Sequence, residues 1–451
     1  MKPLQTIINQ LTAQIDALTN ENAPAFSQCQ ATISADLNLL SWLKGQPHYP
    51  QFYFSLRERK QNLAAIGELL RIEDLAQANE FVQTHQLPLL GGVQFYGATQ
   101  FFLPQLLIEQ QGEQLCVRVF IDYSDLAASQ QKAHDLLKTF LKSTALLPIQ
   151  QGLTQISQQA NQQQWCEWVE QGLARVRAGE LNKIVLANAT DFISEREFDM
   201  RDFVAKSERH NQGCYHFLWA HNANEIFVGA SPERLYARQG QNLLTEALAG
   251  TAPVTDDAQF TAEQAHWLLN DEKNLYENLL VAQGIQQNLA PYAEHFAVSN
   301  VQIKPLRLVQ HLIRPIQAQL KTGFGDLQCL QIIHPTAAVA GLPQQAAKQA
   351  LQQIENFDRT WYAGALGFLS AEHSEFCVAL RSAFVQIVNA ESAENMNQGE
   401  NADKIAKKAA KRNKIRVFAG AGIVEGSVPL LEWREIERKA AALISLLQLT
   451  E

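Results

Sequence analysis

The chain has 451 residues, 46% of them hydrophobic and 18% charged, with a formal net charge of −9. Such a composition suits a soluble globular enzyme of one large or two to three ordinary domains. An acidic balance argues against a surface that tracks nucleic-acid phosphates, so no nucleic-acid partner is expected. Cys29, Cys116, Cys166, Cys214, Cys329 and Cys377 are scattered with no C-x-x-C pair, which speaks against a disulfide scaffold and a zinc site. Met1 to Leu18 lacks the pattern of a signal peptide, and no apolar run has the length of a membrane span. The expected location is the cytoplasm, away from membranes.

Residues 1–20 place Leu4, Ile7, Ile8, Leu11, Ile15 and Leu18 at helical spacing. Strands are predicted at Phe52–Leu56, Leu89–Tyr96, Phe101–Ile108 and Leu115–Ile121, with a helix from Glu73 to Thr84. Gly91-Gly92 and Gln110-Gln111-Gly112 are read as turns. Residues 1–150 hold no paired acid and base, and are expected to be scaffold. Residues 145–164, rich in Gln, Ser and Asn, read as a connection to a second part, 151–451.

An amphipathic helix follows from Gln164 to Ala178, closed by Gly179. Lys183-Ile184-Val185-Leu186-Ala187 then reads as a buried strand. Lys183 at its first position is either a snorkelling strand-end lysine or a desolvated amine able to act as a base. Cys214–Ala220 and Glu225–Ala230 form a hairpin, as do Leu235–Arg238 and Asn242–Leu248, with Ala249-Gly250-Thr251 closing the latter. Between the hairpins, Glu233 follows the rigid Pro232. It is a solvated turn carboxylate or a positioned general acid.

Phe260 to Leu289 is expected to be one long helix, with Glu277 paired on its surface to Lys273 at i−4. His334 to Pro343 is a run of small residues bounded by prolines, before a helix from Gln344 to Glu355. It allows tight packing or close approach to a ligand. Tyr362–Leu369 and Phe376–Val388 read as strands. Arg381 inside the second needs a partner, either a substrate carboxylate or a buried protein carboxylate. Residues 389–413 pair an acidic half with a basic half and read as an inserted loop. Finally, Arg416–Val424 is predicted as a strand running into a glycine loop around Gly420 and Gly422, and then a helix. The loop offers N–H groups to an anion, and Glu432 and Glu435 on the helix offer hard oxygen ligands to a cation such as Mg²⁺.

In this order, several runs resemble the core of the chorismate-utilising enzymes. They are Lys183–Leu186, Gly229-Ala230-Ser231-Pro232-Glu233-Arg234-Leu235, Thr245-Glu246-Ala247-Leu248-Ala249-Gly250-Thr251, Glu272-Lys273 through Glu277, His334-Pro335-Thr336, Phe357-Asp358-Arg359, Gly420-Ala421-Gly422-Ile423 and Glu432-Trp433-Arg434-Glu435. The resemblance covers about residues 160–450 and is most similar to the menaquinone-type isochorismate synthases. It implies an α+β fold: a large antiparallel β core in two halves wrapped by helices, the site between them. It implies Mg²⁺ on Glu277 and Glu435, with Glu432 near, over the ring carboxylate of chorismate. Arg381, Tyr362 and the backbone at Gly422 would hold the enolpyruvyl carboxylate, with Ala338 and His334 at the substrate. Lys183 would activate water for attack at C2, and Glu233 would protonate the leaving C4 hydroxyl. No glutaminase partner is implied, because Lys183 speaks for water rather than ammonia. Salicylate synthases and siderophore-pathway isochorismate synthases share Lys183 and Glu233, and are the nearest alternatives. Two positions depart from many relatives: Asn188 stands where they carry Arg, and Asn274 where they carry an acid.

Overall fold

The computed structural model describes residues 2–21, 23–58, 61–389 and 411–448. Most of the 389–413 loop named above therefore lies outside the described residues. The first part runs α1 (Lys2–Asp16), β1 (Phe26–Ser34), α2 (Leu39–Gly45), β2 (Gln51–Ser55), β3 (Gln61–Ile72), α3 (Leu75–His85), β4 (Leu89–Val93), β5 (Thr99–Gln111), β6 (Gln114–Asp122) and α4 (Leu126–Thr139). Then come β7 (Leu153–Gln158), α5 (Gln162–Arg177), β8 (Lys183–Ser194), α6 (Met200–His210), β9 (Tyr215–Asn222), β10 (Glu225–Ser231), β11 (Arg234–Gln239) and β12 (Asn242–Pro253). Next are α7 (Ala258–Leu268), α8 (Glu272–Leu289), β13 (Ala293–Val298), β14 (Gln302–Pro305), β15 (Val309–Leu320), α9 (Asp326–Ile333) and β16 (Gly341–Leu342). The chain continues through α10 (Gln344–Ile354), β17 (Ala365–Leu369), β18 (His373–Val378), β19 (Ser382–Asn389), β20 (Lys411–Ile423) and α11 (Pro429–Gln448).

Every described strand pairing is antiparallel. One row of strands runs β1-β6-β5-β3-β2-β9-β10-β19-β20-β8, and β8 also carries β7 and β16. A second row leaves β5 through β4-β17-β18-β11-β12-β15. The long β5 joins the rows, because Thr99–Phe102 pair with β4 and Leu106–Gln111 with β6. β2 pairs with β9 and β4 with β17, so strands on either side of residue 150 share the sheet.

Alternate side chains of a strand point to opposite faces, and both faces here are buried. Phe52 and Phe54 of β2 enter a core with Phe102, Trp219 and Leu366, while Tyr53 enters a second with Leu106, Val117 and Leu218. Burying each such phenylalanine stabilises the fold by about 1.5–3 kcal/mol. The expected β core in two halves with helices around it is what the structure contains. No described helix is long and apolar enough to cross a membrane.

Several expected boundaries move. Gly91 and Gly92 are not a turn but lie inside β4, where a Cβ on Gly92 would collide with the carbonyl of Ala365 in β17. The 145–164 connection contains a strand, β7, which is mostly exposed and polar. The predicted single helix 260–289 is two, because the Asp271 carboxylate accepts from the Asn274 N–H and caps α8. β12 does not close at Ala249–Thr251 but runs on to Pro253, with a register shift at Gly250. The strand expected over 376–388 is interrupted at Arg381, whose φ of 47° lies in the left-handed region. Gly420 and Gly422 belong to β20 rather than to a loop, and the turn comes later, at Gly426 with φ +85°.

Candidate active site

A cleft opens where β8 and β20 face β12, the 334–343 loop and the turn between β18 and β19. Its walls include Val185, Glu233, Glu277, Ala338, Tyr362, Arg381, Gly420, Gly422 and Glu435.

Lys183 is fully buried, so it is not a snorkelling surface residue. Its Nζ lies 3.0 Å from Glu277 Oε1, an ion contact, and it has no hydrogen-bond partner among the described residues. The expected Lys273–Glu277 surface pair is therefore replaced. Glu277 turns inward to Lys183, while Lys273 reaches Glu432 at 2.8 Å. Gly422 makes the inward pair possible, since a Cβ there would overlap Glu277 Oε1 and come within 3.0 Å of Lys183 Cε. Gly422→Ala is expected to lower turnover sharply and to cost about 1–3 kcal/mol of stability as an overpacking change. Steady-state kinetics and thermal melts check this, and an active, equally stable variant would show that the glycine is not required.

Glu233 is buried beside Thr336, whose Oγ1 lies 3.4 Å from Glu233 Oε1. Burial pushes the carboxyl up to about 8, with Glu246 adding to the rise and Lys183 working against it. It thus holds a proton at neutral pH, as a general acid must. Arg381 lines the cleft and makes no ion pair with a carboxylate among the described residues. Its Nη2 instead donates to His311 Nε2 at 3.0 Å. Burial holds His311 neutral, and its Nδ1, 3.2 Å from the Gly250 carbonyl, is assigned the proton from this network. The guanidinium fork is thereby left facing the cleft for an anion.

Tyr362 stacks on Phe418, with centroids 5.0 Å apart and planes at 9°. Beyond Val417, β20 has no β19 neighbour, whereas its pairing with β8 continues to Ile423. Opposite Gly422 and Gly420, Val185 N donates to Ala340 O, and Ala187 N to Glu355 Oε1. The two glycines therefore direct their backbone groups away from β8, and Gly420 O accepts from Lys439 Nζ at 3.0 Å. Edge N–H groups of a strand, rather than a loop nest, are what the glycines offer an anion.

The acidic side chains separate. Glu277 and Glu435 line the cleft, but Glu432 does not. Glu432 is buried against Lys273, and Glu435 pairs with Lys439 at 2.8 Å. Burial raises the Glu432 carboxyl, with Glu435 contributing. Burial also works to raise Glu435, but Lys439 holds it below the usual range. Among the described residues no three His, Cys, Asp or Glu side chains form a ready metal cage. His334 is not in the cleft wall, since its Nε2 turns to the Gln94 carbonyl at 3.1 Å. Burial pushes its imidazole down to about 4.

His311, Thr251 and Lys439 join the cleft without having been picked out from sequence. Lys439 had a signal, the i+4 spacing from Glu435. A lone histidine in an apolar strand gave none. The two departures have structural duties. Asn188 clasps both backbone groups of Ala160, and Asn274 Oδ1 accepts from Thr251 N.

A buried acid, a buried lysine and an arginine without a carboxylate partner among the described residues surround one cleft, an arrangement able to carry acid–base chemistry on a small anion. The chorismate binding enzyme family model matches residues 92–391 and 394–448, and the chain belongs to that family. It is 48% identical over 448 residues to the isochorismate synthase MenF of Pasteurella multocida, covering 99% of each chain. It is 49% identical over 449 residues to that of Haemophilus influenzae, covering 99% of this chain and 97% of the relative. The solved menaquinone-specific isochorismate synthase MenF of Escherichia coli superposes with a TM-score of 0.87 at 34% identity, covering 99% of this chain and 100% of that one.

Proposed function

We propose that this chain is an isochorismate synthase that converts chorismate to isochorismate and feeds menaquinone synthesis in the cytoplasm. The observation that carries the reading is Glu233, a buried carboxyl in the cleft wall that burial raises to about 8 and that feels the charge of the buried Lys183. Relatives named as isochorismate synthases, matched over nearly their whole length, support it.

In this reading Lys183 takes a proton from water as the water attacks C2. The double bond shifts, and Glu233 gives its proton to the C4 hydroxyl, which leaves as water. Lys183 first has to part from Glu277. Arg381, Tyr362 and the edge N–H groups at Gly420 and Gly422 hold the enolpyruvyl carboxylate. Ala338 and its small neighbours leave the enolpyruvyl group unforced. The donor set fits Mg²⁺: Glu277 and Glu435 present hard oxygens to one cleft, and Mg²⁺ takes one or two carboxylates with water and substrate oxygens for the rest. When bound, the ion would neutralise the ring carboxylate of chorismate. Glu277→Gln or Glu435→Gln should abolish Mg²⁺-dependent turnover while the fold survives, with a lower melting temperature in Glu277→Gln, which leaves the buried Lys183 without its carboxylate. Full Mg²⁺-dependent activity in either variant removes that residue from the metal site.

The test is to incubate the pure chain with chorismate and Mg²⁺ and identify the product by NMR. Isochorismate without a glutaminase subunit is the expected result. Salicylate with pyruvate would replace this reading with a salicylate synthase, and no turnover would leave a binding subunit.

A further inference from the structure

Lys183 owes its position to β8, and β8 has an unusual outer edge. That edge pairs with β16 at Lys183 and Ile184, and with β7 only from Thr190 onward. No described strand covers Val185–Ala187 on that side. The Val185 N–H donates to the Ala340 carbonyl, and a buried ion pair on the segment after α10 takes the Val185 carbonyl and the Ala187 N–H. Arg359 Nη2 donates to the Val185 carbonyl at 2.6 Å, and Glu355 Oε1 accepts from Ala187 N at 2.8 Å. Arg359 Nε donates to Glu355 Oε2 at 2.8 Å, and Nη1 to the Val339 carbonyl at 2.9 Å. The guanidinium lies 4.3 Å from the centre of the Phe95 ring. Arg359 is 1% exposed, and its ion-pair partner lies within the same protein wall.

We infer that the Arg359–Glu355 pair is a positioning device for the reaction, fixing Lys183 on β8 relative to the cleft wall at Ala338 and Val339. One planar fork ties both walls, because Val185 and Val339 each line the cleft and each give it a carbonyl. Lysine could not replace it, since a point charge cannot span two carbonyls and a carboxylate at fixed angles. All three of its nitrogens are occupied by protein, so it acts through Lys183 and the loop rather than on substrate. Neither residue carries a role in the mechanism above. The inference rests on that mechanism for its kinetic part only.

The test uses the full chain with Mg²⁺ and chorismate. Arg359→Lys and Arg359→Ala are each expected to lower kcat by about 10²-fold, the scale of a 1 Å displacement. KM for chorismate should stay within about threefold, as for a residue that does not bind the ground state. Guanidinium ion, added below unfolding concentrations, should restore part of kcat in Arg359→Ala and nothing in Arg359→Lys. A second readout needs no turnover: acylation of the Lys183 amine, followed by mass spectrometry, should be faster in Arg359→Lys than in the parent. A raised KM with kcat kept would place Arg359 on the substrate and overturn the inference. Unchanged kcat, or Lys183 labelling equal to the parent in a folded variant, would overturn it too. If the parent makes no isochorismate, the proposed function falls, and the labelling still decides the positioning role.

Discussion

Lys183→Ala should lower kcat by about 10²–10⁴-fold, the usual contribution of a positioned base, and change chorismate affinity little. The expectation rests on three observations. The amine is fully buried, it sits behind Glu277 and Gly422 in the cleft wall, and its only ion partner among the described residues is a carboxylate that also faces the cleft. The substitution removes the cation and leaves Glu277 buried without it, so thermal stability should fall as well. Single-turnover rates separate chemistry from binding, and melts monitor the fold. A folded Lys183→Ala protein that hydrates chorismate at a near-normal rate would assign the lysine a structural role alone. His334 would not be its substitute, since that ring faces Gln94 rather than the cleft.

Glu233→Gln should be comparably severe, and it carries a pH signature. The parent acid must be protonated to work, and burial sets its midpoint at about 8. On its alkaline side the parent kcat is therefore expected to fall as pH rises through about 8. The glutamine variant keeps the shape and the Thr336 contact but has no proton to give. Its residual rate should lack that alkaline limb. A kcat–pH profile of both proteins checks this, and an unchanged alkaline limb in the variant would assign the ionisation to another group.

Much of the candidate site was legible because its residues sit in compact runs. Lys183 at a strand entry, Glu233 behind Pro232, and Arg381 in an apolar stretch are each odd enough locally to be noticed. What joins them was not legible, because it is made across the sheet. Glu277 looked paired with Lys273 on one helix face, yet it reaches Lys183 of β8 beside Gly422. The glycines misled for a physical reason. Gly92 and Gly422 are small because another chain segment or an ion pair occupies the place of a Cβ, not because the backbone turns. β7 was missed since its burial shows no alternation, and the break before α8 since one capping aspartate outweighed a continuous helical pattern.

The pairing of β4 with β17 also governs how the chain can be made. On their second edge, Gly91 and Val93 pair with Gly367 and Ala365, far along the sequence. During synthesis β4 can join β5 early, but its second edge stays open until the ribosome has delivered almost the whole polypeptide. Contacts so distant in sequence form slowly, and an open apolar edge invites pairing with other chains. Nascent chains stalled before Ala365 are consequently the aggregation-prone species of this protein, and chaperones that shield strand edges should engage that interval of translation most.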